Sequence, residues 1–326
     1  MRFRFLLAAV ALALVVPASW AGPLDVRQIS ADARWVAHLD VDALRTTQAA
    51  EQYLKPLLAK ERAQAGLQKL REAGGFDLAA DLHGVTLYGT RFEPRRGVVI
   101  FHADAVETRL VAFLETQPDY KTTEYGRHAV HSWTDRHSGS HTVIGCLYRP
   151  GKSSDESVQE PLLVLIAHNP SDMRRAIDVV DGKAASLDGD DSPLVAGAEQ
   201  RASKKPVVVM LGAGGLAEAA LPLKSPVLRQ CDMLNVVLGE TDGEAFLACR
   251  LAAKSDEGAK NIEQVVQGLL AMGRLAGDAN ENLKKVLETV ELSLDGKTVE
   301  LRWHGQAADV VHAARTQWAL RHGGGR

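Results

Sequence analysis

Cysteine is scarce: Cys146, Cys231 and Cys249 are the three in 326 residues. An odd, low count excludes the disulfide-dense secreted scaffolds and leaves room for one intramolecular bridge at most. Cys231 and Cys249 are the closest pair in sequence, and they can bridge only with Cα atoms within about 7 Å. Three buried, inert thiols are the preferred reading, because cysteine packs as a small hydrophobe. Long apolar runs are missing beyond the first 21 residues. The longest, 162–167 and 207–211, have the length of buried strands, which excludes a spanning helix there. Basic residues form no stripe, so nucleic acid is excluded as the expected partner. The sequence also lacks G-x-S-x-G, S-x-x-K, H-E-x-x-H and C-x-x-C, and no motif specifies a reaction.

The N-terminus does carry a signal. Arg2 and Arg4 precede twelve uncharged apolar residues, 5–16, then Pro17 and the small-residue segment Ala18-Ser19-Trp20-Ala21. Twelve residues fall short of the roughly 20 that span a bilayer, and the pattern reads as a signal peptide cleaved after Ala21. No cysteine follows it to take a lipid anchor. The expected location is the periplasm or the cell exterior. Loss of Arg2 and Arg4 takes the net charge from −3 to −5, spread along the chain.

The mature length suits one large domain or two of roughly 150 residues. A strand at 34–39 leads to a helix opened by Asp42 as N-cap. Helical spacing follows through residues 46–73, with Pro56 and Gly66 expected to bend it and Gly74-Gly75 to end it. Strands at 83–88 and 97–102 form a hairpin, 105–116 an amphipathic helix, and 125–133 with 142–148 a second hairpin. A strand at 162–167 and a helix at 173–180 complete the set. The stretch 181–205 reads as a connector. Beyond it the same order recurs: strand 207–211, a helix at 215–218, and a hairpin of 234–238 and 245–252 around Thr241-Asp242-Gly243. Then come a helix at 256–272, a hairpin of 290–294 and 298–303 around Asp295-Gly296, and a terminal helix at 307–320.

The expected fold is therefore α+β: two similar modules of mixed, mainly antiparallel sheet with helices packed on one face. The boundaries are a signal peptide at 1–21, a first module at 32–183, a linker at 184–205 and a second module at 206–322. The opening Trp35-Val36-Ala37-His38-Leu39-Asp40-Val41-Asp42-Ala43-Leu44, with the later Asp295-Gly296-Lys297-Thr298-Val299 hairpin, resembles uncharacterised exported proteins of planctomycete-like bacteria. That resemblance implies a location and an architecture and carries no functional residue across.

Four histidines, His128, His131, His137 and His141, surround one hairpin turn and are the candidate metal ligands, with zinc or copper the candidate ion. Strand alternation opposes a single four-histidine site: His128 and His131, three apart, point to opposite faces. His137 and His141 could converge with one of them and with Asp135. Gly212-Ala213-Gly214-Gly215 with Ala217 matches G-x-G-x-x-A, but no βαβ unit follows, so a glycine-requiring turn is expected. Asp40 and Asp42 could act as a carboxylate pair, although a helix cap and a surface acid suit them better. Asp188-Gly189-Asp190-Asp191 lacks the spaced ligands of a calcium loop. The leading expectation is a non-enzymatic periplasmic or cell-surface binding or scaffold protein, without a cofactor, whose modules share a groove for a protein or cell-envelope partner. The alternative is a metal-binding protein or metallo-hydrolase using the histidine cluster.

Overall fold

A computed structural model describes residues 24–93, 95–136, 139–150, 161–189, 194, 206–216, 226–276 and 281–309. After a 3-10 turn, Val26–Gln28, the elements run β1 Trp35–Asp40, α1 Val41–Arg45, a π turn Ala50–Leu54, α2 Lys55–Leu58, α3 Glu61–Gly74, α4 Leu78–Asp81, β2 Leu82–Gly89 and β3 Val98–Ala103. Next come α5 Glu107–Glu115, β4 Lys121–Tyr125, β5 His128–Asp135, β6 His141–Tyr148, β7 Leu162–Ala167 and α6 Pro170–Val180. The remainder is β8 Pro206–Ala213, α7 Pro226–Arg229, β9 Cys231–Thr241, β10 Glu244–Ala253, α8 Asp256–Ala276, α9 Glu281–Glu288, β11 Glu291–Asp295 and β12 Thr298–Gln306.

The α+β class holds, and the strands join into one twelve-stranded sheet in the order β11-β12-β10-β9-β8-β1-β2-β3-β7-β6-β5-β4. Every pairing among these strands is antiparallel. β1 lies at the centre and pairs with both β2 and β8, setting Leu39 opposite Val85 on one side and Val208 on the other. The two stretches read as modules thus share a continuous sheet. The start of the expected linker is also part of the fold: Ser186 bridges to Ser30, Leu187 N–H donates to the Ile29 carbonyl, and Leu187 is buried.

Strand alternation separates two cores. On one face Val36, Tyr88, Ile100, Cys146, Leu165 and Val209 pack with Met173, Ala176 and Ile177 of α6. On the other, Leu39 and Val85 pack with Val41 of α1, and Phe76, Leu78 and Phe101 close around them. That second face also carries α8 and α9, through Ile262 over Leu251 and Val299, and Val286 beside Trp303. Helices therefore cover both faces, where one face was expected, because a sheet this apolar on both sides in its first half needs two covers.

Local readings differ in instructive ways. Asp40, not Asp42, caps α1, its carboxylate accepting from the Ala43 N–H at 2.8 Å. The helix at 46–73 breaks at residues 59–60, while Gly66 stays inside α3. Asp242 and Gly243, at φ 52° and 83°, form the two-residue turn between β9 and β10, which requires left-handed backbone at both positions. Gly214 and Gly215 take φ 59° and 80° after β8, which explains the glycines there; Ala217 and most of the helix expected at 215–218 lie outside the described residues. So do Asp190, Asp191 and the terminal helix beyond Asp309. All three cysteines are free. Cys231 pairs with Ala253, four positions along β10 from Cys249, or about 13 Å at strand rise, so the two cannot bridge.

Candidate functional site

A cavity of about 600 Å³ opens beside the C-terminal end of α6. The 3-10 turn supplies Asp25, Arg27 and Gln28. β6 and β7 supply Tyr148 and Leu163, α6 supplies Val179 and Val180, and Gly182, Ala184, Ala185, Ser186 and Asp188 form the far wall. Tyr148 is fixed as a wall by its O–H, which donates to the Val180 carbonyl at 2.8 Å. Every lining residue belongs to positions 25–188, so the cavity lies within the first-half stretch and not in a groove between modules.

Asp25 and Arg27 compensate each other at this cleft, which Asp188 also lines. Arg27 forks onto Asp25 with two bonds of 2.9 Å, and Gln28 Nε2 donates to the same carboxylate. Burial alone would raise the Asp25 pKa; the Arg27 bonds outweigh it and hold the group below its ordinary value. Just beyond the rim, the Asp181 side chain is 2% exposed and receives Lys183 at 2.8 Å, His128 at 3.0 Å and Arg127 at 3.2 Å. Burial pushes Asp181 up as well, and the Lys183 and His128 bonds reverse the direction.

Gln28 links the cleft to a polar seam across the central strands. Its Oε1 accepts from His102 Nε2 at 2.7 Å. His102 and His38 flank Gly84 on one face of the sheet, His102 Nδ1 and His38 Cε1 each 3.5 Å from where a Cβ would stand. His38 Nδ1 meets Thr86 Oγ1 at 2.9 Å. Burial lowers the His102 pKa, favouring the neutral ring. On the opposite face His83 is held between Asp42 at 2.9 Å and Asp104 at 3.1 Å, and Arg45 completes the group by pairing with Asp42. The Asp42 bond raises the His83 pKa against the opposing effect of burial. Asp40 and Asp42 thus serve different partners on different elements and do not act as a carboxylate pair.

The structure does not bring the described candidate ligands together. His128 binds Asp181 and tilts against Tyr148. His131 points to the opposite face, its Nδ1 hydrogen-bonded with the Tyr120 hydroxyl at 2.9 Å. His141 lies against Arg95, opposite Asp135 and four positions along β6 from the partner of His131, about 13 Å away. His137 lies outside the described residues. Among the described residues no group of three His, Cys, Asp or Glu side chains could hold a metal ion. Sequence reasoning missed His38, His83 and His102 instead. The available signal was a histidine inside an apolar strand, as in Ala37-His38-Leu39 and Phe101-His102-Ala103.

The fold is thus an antiparallel α+β sheet with an open cleft on one side. It is similar to that of TP0453, a Treponema protein, whose crystal form III superposes with a TM-score of 0.50 at 9% identity, covering 91% of this chain and 100% of that one. Crystal forms I and IV of the same protein superpose at 0.46 and 0.48, also at 9% identity, over 91% and 90% of this chain and 99% and 97% of theirs. This likeness concerns the fold. No protein-family model matches the chain, and no curated protein sequence matches it. Among the described residues no helix is long and apolar enough to cross a membrane.

Proposed function

We propose that this chain is an exported, non-enzymatic binding protein that holds a small ligand of mixed polar and apolar character in the cleft beside α6. The signal-peptide pattern at 1–21 supports export. The single observation that carries the binding reading is the cleft itself. Its volume of about 600 Å³ falls within the roughly 300–1,000 Å³ of small-molecule sites. Pro150 and Val180 offer apolar contact, and Ser186 offers hydrogen bonds. The Asp25–Arg27 pair compensates its own charge and Asp188 adds a carboxylate to the wall, so the cleft favours a neutral or cationic ligand over an anion.

Thermal unfolding of the mature chain, with and without a small-molecule extract of the periplasm, tests this reading. The expected result is a rise in Tm for the wild type and none for Ala184→Trp, which fills the cleft. No rise in the wild type would count against it.

A further inference from the structure

Tyr88 carries a hydroxyl that the fold buries away from other polar groups. The residue is 3% exposed and belongs to the core that includes Val36, Ile100 and Met173. Among the described residues no donor or acceptor is bonded to its Oη. The charges of Asp172 and Arg175 act on the phenol, which places the hydroxyl toward the N-terminal end of α6, the end away from the cleft. A cavity of about 20 Å³ lies there, with Tyr88, Arg96, Asp172 and Arg175 in its wall. Two further buried polar atoms of that wall, Arg96 Nε and Asp172 Oδ2, are also unsatisfied. They stand 3.2 Å apart but out of line for a hydrogen bond, and the two side chains are joined instead by Arg96 Nη2 donating to Asp172 Oδ1. Buried polar atoms in folded chains nearly all find a partner, either protein or ordered water. Three atoms of the wall of one small cavity therefore call for a shared one.

We propose that this cavity is the binding site of one internal water molecule, which accepts from the Tyr88 O–H and the Arg96 Nε–H and donates to Asp172 Oδ2. Three bonds are typical of an internal water, and a cavity of about 10–15 Å³ is enough to hold one. Charge selects water over an ion. A cation would meet Arg96 and Arg175. A halide would suit Tyr88 and Arg96 but would set a second negative charge against Asp172 Oδ2. Phosphate and carboxylate groups exceed the space. The bridge joins β2, the turn into β3 and the first turn of α6. It thus fixes one end of the helix whose other end supplies Val179 and Val180 to the cleft.

The sign of one substitution tests the proposal. Deleting a buried hydroxyl that has no partner relieves an unpaired group, whereas deleting one that is hydrogen-bonded destabilises. Tyr88→Phe keeps the ring and removes only the hydroxyl. In urea unfolding of the mature chain it should lower the folding equilibrium constant about 3- to 10-fold. An unchanged or raised constant overturns the proposal. A crystal structure of the wild type at about 1.5 Å resolution identifies the partner. The expected result is an ordered water about 2.6–3.2 Å from both Tyr88 Oη and Asp172 Oδ2. An empty cavity, a halide revealed by anomalous scattering, or a direct bond between Tyr88 and Asp172 would each overturn it.

Discussion

His102 Nε2–H donates to Gln28 Oε1 at 2.7 Å, and this bond ties the third strand of the central sheet to the wall of the cleft. Because burial keeps His102 neutral, its Nε2–H has one good acceptor on the 3-10 turn. Removing that acceptor leaves a buried donor without a partner. Gln28→Leu should therefore cost about 1–3 kcal/mol, read as a lower urea midpoint at unchanged m-value. A change within experimental error would mean that the bond does not anchor the turn.

Asp181 offers a sharper electrostatic test, because three cations converge on one buried carboxylate. Arg127 and Lys183 are exposed enough to rehydrate when it is removed, which discounts the loss relative to a fully buried pair. Asp181→Asn should destabilise by about 1–3 kcal/mol at neutral pH. Its folded pKa lies below the ordinary carboxylate value, so its contribution is present above about pH 4 and fades as pH falls through the folded value. The wild type and Asp181→Asn should converge in acid denaturation; a constant difference down to the lowest pH would refute the assignment.

His83 works in the opposite direction. Its pKa is raised by Asp42, so the stability it adds is fully present below the unfolded value near 6.5 and is lost as pH rises through the folded value. Denaturant midpoints of wild type and His83→Gln should approach each other as pH rises above about 6.5 and through the raised folded value. Parallel curves across that window would show that His83 does not gain a proton on folding.

The thiols should be silent in the native state. Burial pushes Cys146 up to about 12 and both Cys231 and Cys249 up to about 11, leaving almost no thiolate at neutral pH. A chromogenic disulfide reagent at pH 7.5 should react negligibly with folded protein and titrate three groups in denaturant. A missing group in denaturant would reveal oxidation.

What the sequence made legible follows burial. Residues 162–167 read correctly as a strand because β7 is apolar on both faces, and the turn at Asp242-Gly243 read correctly because its backbone demands those residues. β4 was missed as a strand: Lys121, Thr122, Thr123 and Glu124 are all exposed at the sheet edge, so no apolar alternation marks them. α9 also fell outside the expected elements. The pairing of β1 with β8 joins residues about 170 positions apart, which local periodicity does not encode. The cleft shared that fate, since Gln28, Tyr148 and Ser186 meet only after the sheet has formed. The histidine cluster stood out in sequence because its members are close along the chain, yet each described one turns to a different partner in space.

Native mass spectrometry of the protein released from the periplasm by osmotic shock tests the central claim most directly. Wild-type protein should carry an additional small-molecule mass that Ala184→Trp lacks while showing the same charge-state envelope. A bare wild-type chain, or an identical adduct on both proteins, would contradict it.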